Sequence, residues 1–386
     1  MGRTNILDVL RGEIVGGRLK AGHRLPNRSE LEARFGCSSH TVQRAMTRLI
    51  GDGFIVARGR AGTFVVEHPP HTSRYGLVFP IHLDAGHGGS WARLWGTLDR
   101  EAARRRRERG VDLVSYYEVL EHADTEDWRR LQADLAAHRL AGLILASPNH
   151  LPDLKSLVAK VPCVGFVVEA WPTPKVPSVN LSQREMVGCA LDYLLARRCR
   201  RVAVLGLDVM SGETAGFIQA AIQERGLASQ PHWLLGVNPR YPHWTANCVH
   251  AMLHRGQTEA PDALLVADDA LLDGTLAGLM DLGLCPGRDI EVIAHANFPI
   301  AETLPWPIAR VGFDIAATLD TFLDLLGRQR RGESGVPMVT TIPVTVQAAN
   351  PARPDTASQS NLPTLRSMSA AKRLQRQELH TKETDR

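Results

Sequence analysis

A run of polar side chains between positions 38 and 44 has the make-up of a hydrogen-bonding surface. Ser38, Ser39, His40, Thr41, Gln43 and Arg44 bring hydroxyl, imidazole, amide and guanidinium groups close together. That mixture suits the donor and acceptor pattern that base pairs present in the major groove of DNA. Val42, Ala45, Met46, Leu49 and Ile50 recur on the opposite side of the same helical repeat, so one helix can bury one face and offer the other. Arg28 and Ser29 precede this run. Arg58, Arg60 and Gly62 follow it in the segment Arg58-Gly59-Arg60-Ala61-Gly62, whose charge suits a phosphate backbone or a minor groove.

Such side chains need a rigid frame, and the surrounding sequence supplies one. Ile6, Leu7, Leu10, Ile14 and Val15 form an apolar stripe at helical spacing that Gly16-Gly17 ends. Pro26 blocks continuation into the next segment. Asn27 is placed to cap a second helix through Leu31, Ala33 and Phe35, Gly36 to make a tight turn, and Ser38 or Ser39 to cap the third helix. Phe54-Ile55-Val56 and Thr63-Phe64-Val65-Val66 read as two strands around the basic hairpin. The order is that of a winged helix-turn-helix. Residues 1–68 carry eleven Lys/Arg against six Asp/Glu, a net +5, whereas the whole chain is only +4. A protein-binding three-helix module would share the helices but has no need of the basic wing.

The stretch LPNRSELEARFGCSSHTVQRAMTRLIGDGFIVARGRAGTFVV resembles the GntR family of bacterial transcription regulators, over residues 5 to 66. The resemblance implies operator binding through Arg28, Ser29, Ser38, Ser39, His40, Thr41, Gln43, Arg44, Arg58, Arg60 and Gly62. Three arginines common in that family are replaced by Ser29, Ser39 and Gln43. Arg reads guanine, Gln favours adenine and Ser is indifferent, so an operator unlike the family's usual one is expected.

From Tyr75 to about Val346 short apolar runs alternate with helical patterns. GLVFPI, VDLVSYY, LAGLILAS, PCVGFVV, RRVAVLGL, DALLVADD, DIEVIAH and ARVGF read as buried strands. Helices are expected at 91–109, 125–138, 184–196 and 214–225, so the sheets should be parallel and covered on both faces. The length exceeds one ordinary core and implies two lobes, with ligands at the carboxyl ends of the strands. SVNLSQREMVGCALDYLLARRCRRVAVLG, GETAGFIQAAIQERGL and VADDALLDGTLAGLMDLGLCPGRDIEVIAHAN line up in order with, and resemble, the effector domain of the LacI family, which shares the fold of periplasmic sugar-binding proteins. The resemblance implies a small-molecule effector, often a sugar, and dimerisation through this domain. Glu213 and Ala296-Asn297 stand where that family commonly has an arginine and an aspartate. Replacing a donor by an acceptor points to an altered ligand, one bearing an amine for example, or to a domain that only dimerises.

Strand ends supply the effector-site candidates: His82, Asp84, Trp91, Ser147, Asn149, Glu169, Trp171, Glu213, Asp269 and Asn297. Aromatic faces and a few polar groups are what carbohydrate recognition needs. Each has a plainer reading as well: Asp269 as a helix cap, Trp91 as core packing, and His82 with His87 as a solvated loop.

The expected organisation is a winged helix-turn-helix (α+β) at 1–68, a linker at 69–74, a two-lobed α/β domain resembling periplasmic binding proteins at 75–349, and a disordered basic tail at 350–386. No run of eighteen apolar residues suggests a membrane span and the start lacks a secretory core, so a cytoplasmic protein is expected. Six cysteines at 37, 163, 189, 199, 248 and 285 form no Cys-x-x-Cys pair, which argues against structural zinc and a disulfide framework, and most are expected as buried thiols. The arginine runs 104–107 and 197–201 sit near expected helix ends, where cations complement the helix dipole. The expected partners are double-stranded operator DNA, a small effector and a second copy of the chain, with no metal and no cofactor. A ligand-processing enzyme is the alternative class, but neither Gly-x-x-x-x-Gly-Lys-Ser/Thr nor Gly-x-Ser-x-Gly occurs.

Overall fold

The computed structural model describes residues 5–349 except 83–91, 110, 120–123, 149–150, 152–153, 168–173, 208–211, 239–240, 255 and 301–303, and without the side chains of 107–109 and 242. The candidates Asp84, Trp91, Asn149, Glu169 and Trp171, and the tail 350–386, lie outside the described residues.

Helix α1 (Ile6–Val15) begins at Asn5, whose side chain accepts from the Leu7 amide. In α2 (Arg28–Phe35) Asn27 and Glu30 cap each other's backbone reciprocally. Gly36 then turns the chain at φ 59, a left-handed conformation that glycine adopts without a Cβ penalty. Ser38 caps α3 (Ser39–Gly51), and β1 (Ile55–Ala57) pairs antiparallel with β2 (Thr63–Val65). Leu10, Leu31, Leu49, Phe54 and Val65 are fully buried together. Each such side chain contributes roughly 1.5–3 kcal/mol of burial free energy, which holds the three helices to the hairpin. The sequence did not announce the bridge of Arg24 to Phe64, which lays the segment before Pro26 along the wing.

The segment expected as a polar linker is ordered differently. It contains a short helix, α4 (Pro70–Ser73), with Pro69 and Pro70 buried, and runs directly into β3 (Arg74–Val78). Proline at the first helical position fixes φ in advance, and the hydroxyls of Thr72 and Ser73 donate back to the Pro69 carbonyl at 2.8 and 3.1 Å.

The chain continues through α5 (Ala92–Arg109), β4 (Asp112–Tyr116), α6 (Glu126–Ala136), β5 (Gly142–Leu145), α7 (Leu154–Lys160), β6 (Cys163–Val167) and β7 (Ser178–Asn180) in an amino-terminal lobe. A carboxyl-terminal lobe follows: α8 (Gln183–Ala196), β8 (Val202–Leu207), α9 (Glu213–Glu224), β9 (Leu234–Val237), α10 (Thr245–Met252), β10 (Ala263–Val266), α11 (Leu272–Asp281), β11 (Glu291–Phe298) and β12 (Ala309–Asp314). Helix α12 (Ile315–Arg330) returns to the first lobe, β13 (Val339–Thr341) joins its sheet, and β14 (Val344–Gln347) joins the second. The sheet orders are β13-β7-β6-β5-β3-β4 and β14-β12-β11-β10-β8-β9, parallel throughout except for antiparallel β14. All eight expected strands of this region are present.

Several members of the arginine runs pair within the domain. Arg104 pairs with Glu101 at 2.5 Å, Arg105 with Asp320, Arg197 with Glu291 at 3.3 Å and Arg201 with Asp262 at 3.9 Å. Only Cys163 and Cys199 are buried, whereas Cys37, Cys189, Cys248 and Cys285 are half-buried, so the expectation that most are buried thiols is not met. No helix among the described residues is long and apolar enough to cross a membrane.

Candidate DNA-reading face and interlobe cavity

Val42, Ala45 and Leu49 anchor α3 in the core, which turns Ser39, His40, Thr41, Gln43, Arg44, Thr47 and Arg48 outward. The cap Ser38 is itself exposed, and its Oγ lies 3.0 Å from the Thr41 hydroxyl. Arg28 and Ser29, on the first turn of α2, are exposed too. The Arg28 guanidinium donates to Gln43 Oε1 and, at 3.4 Å, to Ser39 Oγ, while Gln43 Nε2 donates to Thr47 at 3.3 Å. Residues chosen separately in the sequence therefore form one linked polar cluster across two helices. A guanidinium held in this way has donors to spare for a guanine edge.

In the wing, Gly59–Ala61 forms a single 3-10 turn between β1 and β2. Arg58 lies over the Phe64 ring, 5.0 Å from its centre, and Arg60 is exposed at the tip. Gly62 has φ 107, and a Cβ there would come 2.7 Å from Arg24 Nε. The wing thus needs glycine at this position to keep its shape.

The second site is a cavity of about 590 Å³ between the lobes. His82, Arg93, Thr97, Asp99, Arg100 and Tyr117 line it from the amino lobe, and Asp269, Asp273, His295, Asn297 and Arg310 from the carboxyl lobe. The parallel strands place their carboxyl ends here, which is where open α/β sheets leave room for ligands. His82 packs against Tyr117, ring centres 5.2 Å apart. Across the cavity, Asn297 Nδ2 donates to Asp269 Oδ2 at 2.9 Å, and His295 Nδ1 lies 3.9 Å from Asp269 Oδ1. That imidazole nitrogen is buried and has no hydrogen-bond partner among the described residues. Burial pushes the His295 pKa down despite the favourable charge of Asp269, and Arg310 lowers it further, which favours the neutral ring. Arg93 bridges to Asp273 at 3.2 Å and closes one side of the cavity.

Asp268, not Asp269, caps the 3-10 turn Asp269–Leu271, its side chain accepting from the Ala270 amide at 2.8 Å. Asp269 is thereby left to face the cavity. Burial, reinforced by the charge of Asp269, pushes the Asp268 carboxyl up to about 7. Glu213 starts α9, exposed, and neither it nor half-buried Ser147 lines the cavity. Sequence reading missed Arg93, Thr97 and Arg100, although their i, i+4, i+7 spacing marks one polar stripe on α5. It also missed His295, which the two-residue period of β11 places on the same side as Asn297.

Residues 3–65 match the family described as bacterial regulatory proteins, gntR family, and residues 191–348 match the periplasmic binding protein-like domain. The arabinose metabolism transcriptional repressor of Geobacillus stearothermophilus is 24% identical over 304 residues, covering 75% of this chain and 80% of that protein. Among solved structures, the Escherichia coli transcriptional repressor AscG superposes with a TM-score of 0.53 at 17% identity, covering 72% of this chain and 98% of that one. The Cra transcriptional dual regulator of Pseudomonas putida, solved with fructose 1-phosphate, gives 0.50 at 18% identity, covering 72% and 99%. The chain thus joins an N-terminal domain matching the gntR family to a C-terminal periplasmic binding protein-like domain. It is a DNA-binding transcriptional regulator related to both groups.

Proposed function

We propose that the chain is a cytoplasmic, homodimeric repressor whose hold on an operator responds to a small molecule in the interlobe cavity. The observation that carries this reading is the cavity itself, which lies at the strand ends of both lobes and has a volume of about 590 Å³, the size of a small-ligand pocket. Its walls are polar and carry both signs of charge, so the effector is a hydrogen-bonding solute of sugar size. Asp269, Asn297 and His295 would orient its hydroxyl or amine groups, and Tyr117 and His82 would cover an apolar face. The likeness to an arabinose metabolism repressor supports both the sign of regulation and the class of effector. On the DNA, Arg28, Ser39, His40, Thr41, Gln43 and Arg44 read bases, while Arg58 and Arg60 hold phosphates.

The experiment is selection from a random DNA library with the full chain, repeated in the presence of pooled small metabolites. A palindromic site whose enrichment falls with metabolites is the expected result. Enrichment that metabolites leave unchanged, together with no heat or thermal shift across a panel of sugars and amino sugars, would leave the second domain a dimerisation role. That second reading is favoured by Glu213, which lies away from the cavity.

A further inference from the structure

The carboxylate at the end of the recognition helix is buried beneath arginines from three directions. Asp52, whose side chain is 2% exposed, accepts from Arg11 of α1 at 2.8 Å, pairs with Arg48 of its own helix at 3.3 Å, and accepts from Arg139 at 2.7 Å. Arg139 does not belong to the winged domain. It sits in the turn between α6 and β5 of the amino lobe, where the residue before it, His138, takes a left-handed φ of 52. Its other terminal nitrogen pairs with Asp134 of α6, and the second oxygen of Asp134 accepts from the Tyr116 hydroxyl at 2.5 Å. Tyr116 is fully buried at the end of β4, and the next residue, Tyr117, lines the effector cavity. A continuous chain of packed and hydrogen-bonded groups therefore runs from the cavity wall to the recognition helix.

A second contact holds the same surfaces together. His71 of α4 stacks on Phe54, ring centres 5.9 Å apart and planes 14° from parallel. Arg330, the last residue of α12, donates to the Thr72 carbonyl at 2.8 Å. The end of α3, the start of the wing and α4 are thus fixed against two elements of the amino lobe.

We propose that Arg139 is a positioning residue for operator binding: by joining Asp52 to Asp134 it makes the recognition helix move with the amino lobe instead of swinging on a tether. Lobe orientation then sets the distance and phase at which two winged domains meet DNA. This consequence rests on the dimeric-regulator reading above, whereas the clamp itself does not.

The test uses the full chain and Arg139→Gln. Asp52 keeps Arg11 and Arg48 in this variant, so its charge stays compensated and the fold is retained. Amide hydrogen exchange should rise about tenfold for residues 52–54 and 71–73, with α1 and α2 unchanged, as expected when one clamp residue couples two bodies. Arg139→Lys, which keeps the charge but lacks the two-nitrogen fork that spans both carboxylates, should fall between the two. On the selected operator, wild-type affinity should drop steeply when half-site spacing changes by one base pair. Arg139→Gln should flatten that profile while binding a single half-site as well as wild type does. Unchanged exchange, or a spacing profile as steep in the variant as in a steeply dependent wild type, overturns the proposal. A flat profile in both proteins, with exchange raised in the variant, supports the clamp and refutes the dimeric reading instead.

Discussion

Gln43 is held from both sides, accepting from Arg28 and donating to Thr47. A change at Gln43 therefore also releases the guanidinium beside it. Gln43→Ala should relax preference at one base pair by about 1–3 kcal/mol, and combining it with Arg28→Ala should cost less than the sum of the two. Arg60→Ala at the wing tip should weaken binding uniformly across sequences and reduce the salt slope by about 1. Library selection and salt titration separate these outcomes, and a uniform loss for Gln43→Ala would remove its role as a base reader. Next to the cavity-facing Asp269, burial pushes the Asp268 carboxyl up to about 7 from an ordinary value of 3.8. The folded protein thus binds a proton that the unfolded chain has released. The contribution of this residue is fully present below pH 3.8 and is lost as pH rises through 7. Asp268→Asn keeps an oxygen for the Ala270 amide without the charge. It should raise stability at pH 8 by about 1–2 kcal/mol and leave it unchanged at pH 3.5. Thermal melts across that range read the difference.

Helices α1 to α3 and the wing were legible in the sequence because each boundary carries its own chemistry: Asn27 with Glu30, Gly36, Ser38, and Gly62 in the hairpin. Asn27→Ala removes half of a reciprocal cap and should lower winged-domain stability by about 1 kcal/mol, measurable by denaturant titration, with base preference intact. The eight strands seen in advance are apolar runs buried by helices on both faces. β7 is three residues long and came only within the segment that resembles the LacI effector domain, while β9, β13 and β14 escaped because they are short edge strands with exposed positions, so neighbouring strands define them more than their own residues do. For α4 the composition misled. Pro69-Pro70-His71-Thr72 reads as polar punctuation, yet its prolines are buried, the imidazole stacks on Phe54 and the Thr72 carbonyl accepts from Arg330 of α12. Such cover comes from residues far along the chain, and local pattern carries no trace of it. The cavity was half legible for the same reason: strand ends pointed to Asp269 and Asn297, while the α5 stripe gained meaning only when the second lobe came to face it.

At the scale of the whole molecule, one contact between the lobes is the pair of Arg93 and Asp273, whose side chains are 45% and 71% exposed. Exposed pairs of this kind are worth little, about 0–1 kcal/mol, so this pair adds little to holding the lobes together. Arg93→Ala should leave thermal stability within about 0.5 kcal/mol of wild type while raising the radius of gyration in small-angle scattering. A ligand bridging the same walls should reverse that expansion, and no change in dimension would show that the pair does not set the opening.

The return of the chain to its first lobe bears on the order in which the protein is made. β13, at residues 339–341, completes a sheet whose other strands lie between 74 and 180. The winged domain closes its own core by residue 65. As synthesis runs from the amino terminus, the DNA-reading part is therefore finished well before the amino lobe can be. A nascent chain, or one stopped early by a premature stop codon, would carry a competent DNA reader with no completed lobe to hold it in place. Nonsense alleles in the second half of the gene are then expected to yield unpaired winged domains that touch single half-sites without regulation.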